Sequence, residues 1–288
     1  MGKIKTFVNF NNQNIFEYIS RNNIQLVKNY IDSGYDLNIK NSDDDTLLIF
    51  ASKYNRIEIV KLLLRYNLNI DEQNIYGYTA LLSVSSMFNA LDLIKLLLKA
   101  GADVNKKDNK NNTSLIFSVI NNNYELFKLL LNFGADINKQ NNKGDTALIL
   151  AAQNNNYKMV NILLKKGADV NIQNNYNYNA LIAAVYNNNM KMTKIILNSN
   201  VDIDKEYSNG YTALTVAADN NNRELVKLLL DYGADEFILY MASWSFYDLL
   251  NDKNKEYFLQ NYPTSVYNAI SHNYKKSFTE FVKYYNIK

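Results

Sequence analysis

The side chains able to do chemistry are few and poorly grouped. His272 is the sole histidine, and the chain has no cysteine. That excludes disulfides, thiolate metal sites and a thiol nucleophile. Asp43, Asp44 and Asp45 are the densest carboxylate run. Calcium loops space their ligands so that alternate side chains converge, whereas consecutive ones point apart. The run therefore reads as a solvated loop tip. No histidine pair, glycine-rich phosphate loop or nucleophile elbow is present. The expectation is a protein that is not an enzyme, with no catalytic residue, cofactor or metal. An enzyme built from Asp, Glu, Lys, Ser or Tyr alone would need carboxylates clustered in a deep pocket.

Charge points away from nucleic acid. The 31 Lys and Arg offset 28 Asp and Glu, leaving +3 over 288 residues. Nucleic-acid binders concentrate basic residues on one face. Here arginine stands only at 21, 56, 65 and 223, so bidentate readers of phosphate or guanine are scarce. The start lacks the apolar core of a signal peptide. The longest apolar stretch, 237–250, is too short to span a bilayer. No membrane partner is expected, although Gly2 and Thr6 fit a myristoylation pattern. Asn, Lys, Tyr and Ile abound together, as an A/T-rich genome would produce. The expected setting is cytoplasmic, with secretion into a host left open.

The elements that must carry any site follow from a repeat. Thr46, Thr79, Thr113, Thr146, Asn179 and Thr212 are spaced by 33, 34, 33, 33 and 33. Gly34, Asn67, Gly101, Gly134, Gly167, Asn200 and Gly233 keep the same period, so the single insertion falls between Thr79 and Gly101. Two residues after each Thr position comes a leucine (48, 81, 115, 148, 181, 214), and three further a small residue (51, 84, 118, 151, 184, 217). That is one face of a short first helix, slim enough for neighbours to approach. The Thr marks its N-cap. Leucine pairs such as Leu130-Leu131 predict a longer second helix. Asn22, Asn55, Asn122, Asn155, Asn188 and Asn221 share one position between the helices. A turn with positive φ is predicted there, because Asn tolerates that conformation best after Gly.

With this pattern the chain resembles the ankyrin-repeat family. The carrying motifs are Gly101-Ala102-Asp103-Val104-Asn105, Gly134-Ala135-Asp136-Ile137-Asn138 and Gly167-Ala168-Asp169-Val170-Asn171. Thr146-Ala147-Leu148 with Ala151-Ala152, and Thr212-Ala213-Leu214 with Ala217-Ala218, add to them. The family's proline is replaced throughout. Its histidine becomes Ile49, Leu82, Ile116, Ile149, Ile182 and Thr215, which should loosen each unit. The resemblance implies an all-α solenoid of stacked helix-turn-helix units with short hairpin loops. Residues 1–12 would be an N-terminal extension. Residues 13–235 would hold about seven repeats, the first a polar cap, and residues 236–288 degenerate helical capping repeats.

It also implies a function: protein–protein binding by a monomeric, non-enzymatic scaffold, through a concave face made of hairpin loops and first-helix ends. Carried over by position, the loops supply Tyr76, Tyr78, Lys110, Lys143, Asp145, Tyr176, Tyr178 and Tyr211. The helix ends supply Tyr54, Met87, Ile120, Gln153, Tyr186 and Asp219. Tyrosine suits recognition because it offers broad contact at small entropic cost, yet an A/T-rich genome also scatters it. The lysines on second helices (61, 95, 128, 158, 194, 227) read as a solvated outer face. The alternative is an adaptor or host-directed effector whose C-terminal helices recruit other machinery. The partner's identity is not legible.

Overall fold

The computed structural model describes residues 14–87, 90–207 and 211–235. The expected N-terminal extension, the C-terminal capping repeats, His272 and Gly2 lie outside them. The described residues form fourteen helices in seven consecutive pairs. These are α1 (Asn14–Ser20) with α2 (Ile24–Asp32), α3 (Leu47–Lys53) with α4 (Ile57–Leu63), and α5 (Ala80–Ser85) with α6 (Leu91–Lys99). Next come α7 (Ser114–Ile120) with α8 (Tyr124–Asn132) and α9 (Ala147–Gln153) with α10 (Tyr157–Lys165). The last are α11 (Ala180–Tyr186) with α12 (Met190–Leu197) and α13 (Ala213–Asp219) with α14 (Arg223–Asp231). Successive first helices pack on one another, and each packs on its own second helix. The core therefore runs unbroken along the stack, which is how a repeat too small to bury its own face becomes stable.

The small-residue stripe does what its spacing requires. Ala51, Val84, Ser118, Ala151, Ala184 and Ala217 are all fully buried, beside the leucines at 48, 81, 115, 148, 181 and 214. The second helix is the longer one in six units, but α4 has only seven residues, the same as α3. Arg56 stands at its N-cap, where five other units have Asn and the third has Ala90, and makes no cap bond. The extra residue of the 34-residue unit falls between α5 and α6: five residues separate them, against three between α3 and α4.

Every one of the six shared Asn residues has positive φ, between 51° and 56°. The Asn triplets do more than turn the chain. Their third members, Asn123, Asn156, Asn189 and Asn222, cap the second helix by accepting from the backbone N–H three residues on. Three of the same amides reach back one unit: Asn156, Asn189 and Asn222 donate to the Oδ1 of Asn122, Asn155 and Asn188, each at 2.6 Å. One residue type thus turns the chain, caps a helix and ties neighbouring units.

Thr46, Thr79, Thr113 and Thr146 cap the first helices through Oγ1. In the last unit the family's lost histidine link is replaced, since Thr215 Oγ1 accepts from the Thr212 N–H at 2.9 Å. Asn179 is the exception in the Thr series. Its Oδ1 accepts from the Ile182 N–H at 2.9 Å, but its Nδ2 is buried with no partner. An orphaned buried amide costs about 1–3 kcal/mol. Asn179→Thr keeps the cap and removes the orphan, so urea denaturation should show a gain of about 1 kcal/mol; a loss would contradict the assignment.

Candidate functional site

The hairpin loops between units hold the exposed side chains in a rigid frame. In five of them one Asn or Asp side chain organises the turn. Asn74 Oδ1 accepts from the backbone N–H of Tyr76 and Tyr78. Asn41, Asp108, Asn141 and Asn174 repeat this bond pair. Such Asx turns fix the loop without help from its tip. Adjacent loops are then joined by backbone bonds, including Asn109 N–H to Tyr76 O at 3.1 Å and Asn175 N–H to Lys143 O at 2.9 Å. Glutamines add a second tie: Gln140 Nε2 donates to Gln173 O, and Gln173 Nε2 to Glu206 O. The loop backbones, and with them the points from which these side chains project, are thereby fixed.

Against the expected binding residues, the frame divides them into three groups. Tyr54, Tyr76, Ile120, Tyr176, Tyr186 and Tyr211 are exposed, as are Lys110, Lys143, Gln153 and Asp219. Tyr78, Tyr178 and Met87 are half-buried, and Tyr178 and Met87 pack on the core. Burial raises the phenol pKa of Tyr78, helped by the Asp108 charge, and of Tyr178, helped by Tyr186. Asp145 is a correction. It is 6% exposed, because the amide of Asn174 in the next loop covers it and donates to its Oδ1 at 2.7 Å. Asp45 corrects the reading of its acidic run as a solvated tip. It is buried, bound by Asn74 Nδ2 at 2.7 Å and ion-paired with Lys53 at 2.6 Å.

The aromatic residues gather in clusters. Phe16, Phe50 and Tyr54 form one near the first units, with centroids 5.1 and 4.8 Å apart. Tyr78 leans on Phe117 at 6.1 Å. The largest lies toward the other end, where Tyr178 contacts both Tyr186 (6.0 Å, edge-on) and Tyr207 (5.1 Å), and Tyr207 contacts Tyr211 (5.8 Å). Tyr207 was absent from the sequence-based set. Its signal was there: the series Asn41, Asn74, Asp108, Asn141, Asn174 breaks at 207, where a ring replaces the turn-forming amide. The carboxyl pKa of Asp219 is raised, because partial loss of water around it outweighs the lowering by the nearby Tyr211 hydroxyl. Among the described residues no group of three His, Cys, Asp or Glu could hold a metal ion. No described helix is long and apolar enough to cross a membrane.

The profile of the family "Ankyrin repeats" matches the chain in three copies, over residues 15–108, 82–174 and 166–238. Among solved structures, an ankyrin repeat domain from Acinetobacter baumannii AYE is 30% identical. The match covers 65% of this chain and 98% of that one, with a TM-score of 0.61. The ankyrin repeat domain of Bcl-3, described as a unique member of the IkappaB protein family, is 26% identical. That match covers 75% of this chain and 96% of the other, with a TM-score of 0.66. No curated protein sequence matches.

Proposed function

The chain belongs to the ankyrin-repeat family, and we propose that it is a non-enzymatic scaffold holding another protein across its hairpin loops and first-helix ends. Ankyrin repeats generally serve protein–protein interaction, which supports the coarse reading. The observation that carries the finer one is where large apolar side chains meet water. Among the described residues, seven of the eleven exposed large hydrophobics, namely Tyr54, Ile75, Tyr76, Ile120, Tyr176, Tyr186 and Tyr211, lie on this one surface. Scattered exposed apolar residues mean little. A concentration on a pre-organised loop frame fits a recognition surface, since ordering costs have already been met in folding.

The decisive test uses the most exposed rings. Tyr176 is 63% and Tyr186 61% exposed, with Tyr76 at 50%. Their truncation should leave stability within about 0.5 kcal/mol. A Tyr76→Ala, Tyr176→Ala, Tyr186→Ala variant of the full chain should bind its co-purifying partner at least about 30-fold more weakly, as expected for aromatic hot spots. Its helical circular dichroism should stay unchanged. Full affinity in the folded variant would move the binding surface elsewhere.

A further inference from the structure

We infer that Tyr178, Tyr186, Tyr207, Tyr211 and Asp219 form a receptor for a cationic side chain, an arginine or lysine presented by a segment of the partner protein. This rests on the protein-binding reading above and names the chemistry of one part of that surface. Three observations support it.

The first is the local charge pattern. In the second and sixth units the residue before the first-helix cap meets the residue eight positions later. In the second unit these are Asp45 and Lys53, and the carboxylate is neutralised by the chain's own ammonium group at 2.6 Å. In the sixth they are Tyr178 and Tyr186. In the seventh they are Tyr211 and Asp219, where the phenol lies near enough to lower the carboxyl pKa. Asp219 enters no ion pair among the described residues. Its side chain is open to solvent and no cation of the described residues pairs with it, so an arriving one would stabilise the carboxylate.

The second is the rings. Tyrosine faces attract cations within about 6 Å, and the chain uses this elsewhere. Lys128 Nζ lies 4.7 Å from the Tyr124 centroid, Lys191 Nζ 4.8 Å from that of Tyr157, and the Arg56 guanidinium 5.9 Å from that of Tyr54. Among the described residues no cation sits over any ring of the Tyr178–Tyr211 cluster. The third is the loop exchange at Tyr207. Replacing the turn-forming amide by a ring leaves the closing bond, Tyr207 N–H to Tyr211 O at 2.8 Å, while adding an aromatic wall between Tyr178 and Tyr211.

The test uses the full chain and a fluorescein-labelled glycine-serine octapeptide carrying two arginines, with a glutamine counterpart as control. Anisotropy titration should show the arginine peptide binding at least tenfold tighter than the glutamine one. Asp219→Asn and Tyr207→Leu should each weaken the arginine peptide at least tenfold, and Asp202→Asn, an exposed carboxylate outside the cluster, should not. Asp219→Asn keeps the size of the side chain while removing its charge. The sign of its stability effect is also favourable. A carboxyl pKa raised by folding means the charged form destabilises the fold above that pKa and ceases to do so below the unfolded value. The neutral amide should therefore not lower the melting temperature at neutral pH. Failure of the arginine peptide to bind, equal binding of both peptides, or an Asp219→Asn variant of full affinity would overturn the cation site. If the co-purifying partner is lost on Tyr76→Ala with Tyr176→Ala but retained on Asp219→Asn, only this inference falls; retention through both overturns the protein-binding surface as well.

Discussion

Gly144→Ala is expected to destabilise the protein by at least about 2 kcal/mol, whereas Gly134→Ala should cost only about 1 kcal/mol. Both glycines have φ near +80° (+76° and +81°), so both exchanges carry the left-handed penalty of an L-residue. They differ in what the new methyl meets. At Gly134 there is nothing within 4 Å. At Gly144 the Cβ would fall 2.7 Å from the backbone nitrogen of Asn175 and 2.8 Å from the Cα of Asn174. Those atoms belong to the next hairpin, whose Asn175 N–H donates to Lys143 O. Relieving the clash means parting two loops, and the tie between them should be lost with it. Thermal melts of the two variants in parallel measure the difference, and equal losses would show that the loops are not in close contact.

The second large effect lies in the core. Phe127 is fully buried on α8 in the middle of the stack. Its removal as Phe127→Ala leaves a ring-sized void between elements that cannot collapse freely, costing about 3–5 kcal/mol. Phe133, six residues on and 39% exposed, is the control: Phe133→Ala should stay within about 0.5 kcal/mol. Because each unit leans only on its neighbours, the Phe127 variant should also broaden the urea transition as the two halves of the array uncouple. A single sharp transition with a small midpoint shift would contradict the packing described.

The period alone made the register, the first-helix cap, the small-residue face and the Asn turn legible, because each is a local rule applied at a fixed interval. What escaped it depends on the neighbouring unit. Asp45 and Asp145 look like solvated loop residues in sequence. They are buried because Asn74 and Asn174, each 29 residues on, donate to them. The Asn triplets were readable as turns, but not as the ladder from Asn156 to Asn122 and from Asn189 to Asn155. Such bonds depend on which way an amide points across a unit boundary. Tyr207 is legible in sequence only as a break in the Asn/Asp turn series, because what its ring touches, Tyr178, belongs to the unit before.

The central claim, binding through the loop and first-helix surface, can be tested with lysines the chain already has. Lys53, Lys110 and Lys143 sit on that surface, while Lys61, Lys95, Lys128, Lys158, Lys194 and Lys227 lie on the second helices. Amine cross-linking of the full chain with its co-purifying partner, read by mass spectrometry, should place inter-protein links on the first set and leave the second set unlinked. Links confined to the second-helix lysines would contradict the account.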